Sequence, residues 1–193
     1  MRECKRDQGS CGCCTIYREV NKMETYFDKR LNELEAEYKK AKQSLSDLKA
    51  SRTAFSVTLL KDGTLKCFGS SASATALIYG QVYLNLGNGY NIFTGMFTVP
   101  HSGVYSFAIT VYSDTGAPGA SVAACAGLQV NDVDVAGSAD KNKNDQEDSS
   151  SNVVALHLKA GDKVHVNVPA GCFLCDDKYH YNTFSGFLLY PTE

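Results

Sequence analysis

From Tyr90 to Ile109 the chain reads YNIFTGMFTVPHSGVYSFAI. Side chains alternate across a strand, so Tyr105 and Phe107 share one face, and Phe97 meets them from the strand before the reversal. The reversal is written in Pro100-His101-Ser102-Gly103. Pro presets the turn, and Gly103 lets the chain come back tightly. Three large aromatics on one side of two adjacent strands need a second sheet to cover them. Outward from this hairpin the same period of two recurs through residues 53–193, from Ala54–Leu60 through Ala76–Tyr79 and Lys163–Val168 to Thr183–Tyr190. Turn signals at Lys61-Asp62-Gly63, Gly87-Asn88-Gly89 and Ala160-Gly161-Asp162 separate the strands. This is the pattern of an all-β sandwich, and about 140 residues suffice for one core. The last run, Phe184-Ser-Gly-Phe-Leu-Leu-Tyr190, has little polar character on either face. That predicts a central strand or one at a subunit contact.

The aromatic Tyr90, Gly95 and Phe97 at a strand start, Pro100 in the turn, and Gly103, Tyr105 and Phe107 beyond it together resemble the signature of the C1q globular domain family. Phe184–Tyr190, the run Val154–Val164, the opening Ala54-Phe55-Ser56-Val57 and the step Asn85-Leu86-Gly87 resemble further family motifs, in the family's order. The resemblance covers residues 53–193. It implies a mainly β fold: a ten-stranded jelly-roll β-sandwich of the C1q/TNF-like type. It also implies assembly as a homotrimer with a stalk entering at the base. No Gly-X-Y repeat is present, so a collagen stalk is not expected. The chain is similar to short-stalked secreted members, cerebellin-like or invertebrate lectin-like. Their role implies recognition of extracellular glycans, microbial surfaces or receptors.

Residues 16–52 contain no Gly or Pro and carry an apolar seam. Ile16, Val20, Met23 and Phe27 are followed by Leu31, Leu34, Tyr38, Ala41, Leu45 and Leu48, with a stutter where two steps of four meet at Phe27. The spacing predicts a coiled-coil stalk, because a lone helix of this kind is marginal in water. A single amphipathic helix folding back on the sandwich is the alternative. Residues 1–15 form a cysteine-rich segment expected to have little structure of its own. Cys4, Cys11, Cys13 and Cys14 lie there. In a parallel bundle they face their own copies, which predicts interchain disulfides and, with them, disulfide-linked higher oligomers; a local knot or zinc cluster is the alternative. Eight cysteines in all suit an oxidising compartment, so the protein is expected to be secreted and extracellular. The chain does not open on a signal-peptide pattern, so secretion implies a signal already removed.

The net charge of −2, with basic residues interspersed among acids along the stalk, gives no nucleic-acid patch, and no nucleic-acid partner is expected. No apolar run approaches the roughly 20 residues that cross a bilayer, so membrane insertion is not expected. No Gly-x-Ser-x-Gly or phosphate loop occurs, and no enzyme activity is expected. Cys172-Phe-Leu-Cys175 has CxxC spacing, but it follows Pro169-Ala-Gly171 and precedes two aspartates, which disfavours a reactive thiolate. With Cys67 and Cys125 it forms structural disulfides or buried thiols; three full pairings are open.

The loop Asp176-Asp177-Lys178-Tyr179-His180-Tyr181 mixes carboxylates with aromatics, as a site for a sugar or another polar ligand requires, and Asp114 begins a flexible loop. The polar stretch Asp140–Asp148 contains Asp140, Asp145 and Asp148, oxygen donors suited to Ca²⁺, the one cofactor the sequence suggests, although the default reading is a solvated connector. Matching core faces across Gly161-Asp162 places His157 opposite His165, a pair that could hold a metal.

Overall fold

The computed structural model describes residues 11–69, 71–116, 122–142 and 146–192. The chain divides into two units at Ala50/Ser51. The first holds one helix, α1 (Cys11–Ala50), of 40 residues. It begins before Ile16, so helical backbone reaches into the segment expected to lack structure. Lys, Glu, Leu and Ala favour it, and exposed pairs such as Lys22–Glu19 at 2.8 Å and Arg30–Glu33 at 2.7 Å run along it. Its seam has no cover within this unit: Ile16, Phe27 and Leu34 are all more than half exposed. Among the described residues no helix is long and apolar enough to cross a membrane.

The second unit is a sandwich built from thirteen strands among the described residues. They are β1 (Ala54–Thr58), β2 (Lys66–Gly69), β3 (Thr75–Ala76), β4 (Gln81–Leu86), β5 (Tyr90–Asn91), β6 (Met96–Thr98), β7 (Gly103–Asp114), β8 (Val122–Val130), β9 (Val133–Asn142), β10 (Glu147–Leu158), β11 (Lys163–Val168), β12 (Phe173–Asp176) and β13 (Thr183–Pro191). One sheet has the order β10-β7-β13-β1-β4 and the other β5-β6-β11-β8-β9; β2 and β12 form a separate ribbon. The implied ten-strand jelly roll is present. The three surplus strands are the two-residue piece β3, which pairs with β11, and the two strands of the ribbon.

β6 and β7 are not the adjacent strands their spacing suggested. β6 pairs with β5 and β11, and β7 with β10 and β13, so the Pro100–Gly103 turn crosses between sheets. Phe97 meets Tyr105 and Phe107 edge-on from the facing sheet, at 5.9 Å each. Phe97, Tyr105 and Phe107 are buried, and Phe55 stacks on Phe97 at 4.6 Å and meets Phe184 edge-on at 4.7 Å. β13 is the central strand of its sheet. Gly186 is required there, because a Cβ would stand 2.6–2.7 Å from the rings of Phe107 and Phe55. Tyr90 donates its hydroxyl to the Tyr79 carbonyl at 3.1 Å, and burial pushes its phenol up to about 12. Cys67 is bonded to Cys175, and Cys125 to Cys172. Both cysteines of the CxxC are therefore in structural cross-links to different strands.

The chain enters β1 at Ala54, which pairs with Leu86 and Phe187, and leaves β13 at Pro191, which pairs with Gly103. Entry and exit therefore share one pole of the sandwich. Asp114 and Glu147 pair with each other at the opposite pole, where β1 ends at Thr58 and β13 begins at Thr183.

Candidate ligand-binding site

At that far pole the connection from β12 to β13 is built on two aspartates and an asparagine. Asn182 is fully buried. Its Oδ1 accepts the Tyr112 N–H at 2.9 Å, its Nδ2 donates to the Cys175 carbonyl at 2.7 Å, and its own carbonyl accepts the Leu59 N–H at 3.3 Å. One side chain and its backbone thus tie three elements together. Asp176 is fully buried too, and its Oδ1 accepts the Tyr181 N–H at 2.9 Å. Burial holds this carboxyl above its ordinary value, and the backbone N–H groups of Asp177, Tyr181 and Asn182 oppose the shift. Asp177 Oδ1 accepts the Tyr179 N–H at 2.8 Å, and its carbonyl accepts the His180 N–H at 3.2 Å, with His180 in the left-handed region at φ 57°. The turn pushes the rings of 179 and 181 outward.

Those rings form a platform. Tyr181 lies 4.6 Å from Tyr112 of β7 and 5.8 Å from Tyr179, and Tyr179 is 63% and Tyr181 43% exposed. The ammonium of Lys178 sits 5.0 Å from the Tyr179 ring centre. Tyr112 is hydrogen-bonded to Glu147; desolvation first, and Glu147 second, hold its phenol well above the ordinary range. Asp114 accepts the Gly116 N–H at 2.7 Å and Gln146 Nε2 at 3.2 Å. Aromatic faces beside fixed acceptors can stack on a ligand ring and hydrogen-bond its polar edge.

A family model described as the C1q domain matches residues 54–189. The chain belongs to the C1q domain family. Complement C1q tumor necrosis factor-related protein 3 of Homo sapiens, and that of Mus musculus, are each 31% identical over 119 residues, which cover 62% of this chain and 46% of the relative. The chain therefore spans less than half the length of those relatives. Among solved structures, the globular domain of zebrafish complement 1qA protein is similar with a TM-score of 0.52 at 22% identity, covering 72% of this chain and 99% of that one. Murine APRIL gives 0.53 at 14% identity, with coverage of 72% and 99%, and Eiger TNF from S. frugiperda 0.53 at 17%, with coverage of 74% and 96%. These likenesses establish the shared jelly-roll fold.

Within this C1q domain the expected loop residues Asp114, Asp176, Asp177, Tyr179, His180 and Tyr181 come together at one pole. Asp176 is a buried support and not a surface group. Tyr112, Glu147 and Asn182 complete the arrangement and were not anticipated. Tyr112 lies seventy residues before Asn182, and no local spacing connects it to Tyr181.

The metal expectations fare differently. His157 pairs with Val104 of β7, and His165 with Gln129 of β8, in the opposite sheet. The Gly161-Asp162 turn is a crossing between sheets: Gly161 donates to Val99, and Val99 to Asp162, at 2.8 and 2.9 Å. The two imidazoles are therefore not cross-strand neighbours. His157 stands 3.0 Å from Thr192 Oγ1, and His165 is buried. Asp140 falls in β9 and Asp148, 8% exposed, in β10, so much of the supposed connector is paired strand. Asp145 and Cys4 lie outside the described residues, and for Cys11, Cys13 and Cys14 only the backbone, in α1, is described. Among the described residues no three His, Cys, Asp or Glu side chains gather as a metal site.

Proposed function

We propose that this chain is a secreted, multivalent recognition protein. It displays C1q domains as a homotrimer and binds extracellular glycans, microbial surface molecules or cell-surface receptors at the pole away from the chain's entry. The observation that carries this reading is the platform of Tyr112, Tyr179 and Tyr181 bordered by Asp114, Glu147 and Asp177. Trimer formation is supported by the outer face of the five-stranded sheet. Across it run the rows Leu86–Ala54–Phe187–Ser106–Ala155 and Leu84–Ser56–Ser185–Ala108–Val153, with no charged side chain in either. Leu84, Leu86, Phe187 and Val153 on this face are about half exposed or more. An apolar face of that extent marks a protein contact. The uncovered seam of α1 needs partners as well, and interchain disulfides through Cys4, Cys11, Cys13 and Cys14 would fix them. Three weak sites on one particle gain avidity on the order of 10²–10⁴-fold.

A glycan and receptor array, read with Ca²⁺ and with chelator, tests the reading. Binding that is lost in Tyr181→Ala supports it, and an array silent with wild-type protein overturns it. The four N-terminal cysteines also favour a second reading, a matrix or shell protein polymerised through disulfides. Sedimentation separates the two: discrete trimers or trimer multiples support recognition, and open-ended polymers that dissolve with reductant support matrix.

A further inference from the structure

The charges around the platform point to a ligand more specific than a generic sugar. Three carboxylates, Asp114, Glu147 and Asp177, border the tyrosines. Lys178 is the cation placed over one of the rings. Lys66, whose position on β2 pairs with Asp176, is held by Asp62 at 3.0 Å. The Tyr181 phenol is raised by desolvation and then by the negative charge of Asp177, with Glu147 and Asp176 adding to it. The ring faces therefore carry their own negative quadrupole inside a net negative field. An anionic sugar or phosphate is repelled there. A neutral sugar can stack but gains nothing from the field. An ammonium gains from both, and Lys178, exposed and flexible, already occupies the position such a group would take over Tyr179.

We infer that the far pole selects ligands carrying an organic ammonium group, held against Tyr179 and Tyr181 and neutralised by the surrounding carboxylates. This deepens the recognition reading and rests on it. The ammonium can be quaternary, as in a choline headgroup, or primary, as on an amino sugar. The two sources share the recognised group and differ in what it is attached to. Lys178 is the internal competitor for the same faces.

The test uses the full chain with ¹³C-labelled tyrosine, read by ring resonances in NMR titrations. Choline is set against its neutral isostere 3,3-dimethylbutan-1-ol, and glucosamine against N-acetylglucosamine. The ammonium member of at least one pair is expected to shift the Tyr179 and Tyr181 rings at roughly 3- to 30-fold lower concentration than its neutral counterpart. The pair showing the larger ratio identifies the source. Tyr181→Ala should abolish the shift on Tyr179, whereas Tyr181→Phe, which keeps the π face, should retain it. Glu147→Gln should weaken binding. Lys178→Gln should tighten it, a gain that a purely structural role would not produce. Equal affinity of charged and neutral members, or no shift of either ring, overturns the ammonium preference. If neutral glycans still bind the array through Tyr181, the recognition reading survives that failure; if the array is silent too, both fall.

Discussion

Asn182 shows how much a single buried amide can hold at this pole. Asn182→Ala leaves the Tyr112 N–H and the Cys175 carbonyl without their partners, at an expected cost of about 2–4 kcal/mol in urea denaturation. Ligand binding should weaken in parallel, because Tyr112 then loses its anchor. Asp176 makes a prediction in pH. An unfolded aspartate titrates near ~3.9, and burial raises the folded value above that. The folded state therefore holds the proton more tightly. This contribution to stability is complete below about pH 4 and is lost as pH rises through the folded value, leaving the buried carboxylate a net cost at neutrality. Asp176→Asn keeps the acceptor for Tyr181 and removes the charge. It should be more stable than wild type at pH 7, with the difference shrinking as pH falls through the folded value and levelling off below about 4. Denaturation midpoints across pH would show it, and a constant difference would contradict it. Gly186→Ala, by contrast, should cost about 1–3 kcal/mol through overpacking against Phe55 and Phe107.

At the scale of elements, the cross-links matter most for the ribbon. Cys67–Cys175 and Cys125–Cys172 span 108 and 47 residues. Loop-closure entropy assigns each about 4–5 kcal/mol, with less than the sum for both because the two loops overlap. Cys125→Ala with Cys172→Ala should lower the thermal midpoint, and added reductant should do the same to wild type. The sequence made most of these elements readable. Phe97, Tyr105, Phe107 and Phe184 alternate cleanly because one face of each strand is buried, and α1 is legible because its apolar seam keeps a heptad spacing. β12 was not legible: Cys175-Asp176-Asp177 reads as a polar loop, and only its pairing with β2 and the burial of Asp176 make it a strand. The same is true of the polar first half of β10, from Glu147 to Asn152, which is held by its ladder with β7. His157 and His165 do not face each other, for a topological reason. A Gly-Asp turn signals reversal of the chain but does not say whether the chain returns to the same sheet or crosses to the other. The loop tyrosines were visible by composition, whereas Tyr112 reaches them only through the β7–β13 pairing.

For the whole molecule, the decisive property is the pair of uncharged rows across the outer face of the five-stranded sheet. Phe187→Glu buries a charge if three copies pack there, so sedimentation should shift from trimer toward smaller species while the β-sheet circular dichroism is retained. Unchanged mass would remove this face from the interface. A last consequence follows from Ala54 and Pro191 sharing a pole. A biotin or a fluorophore grafted beyond the final strand is attached on the side away from the tyrosines. A sensor chip carrying the protein by such a tether would therefore present every recognition loop to the flowing analyte.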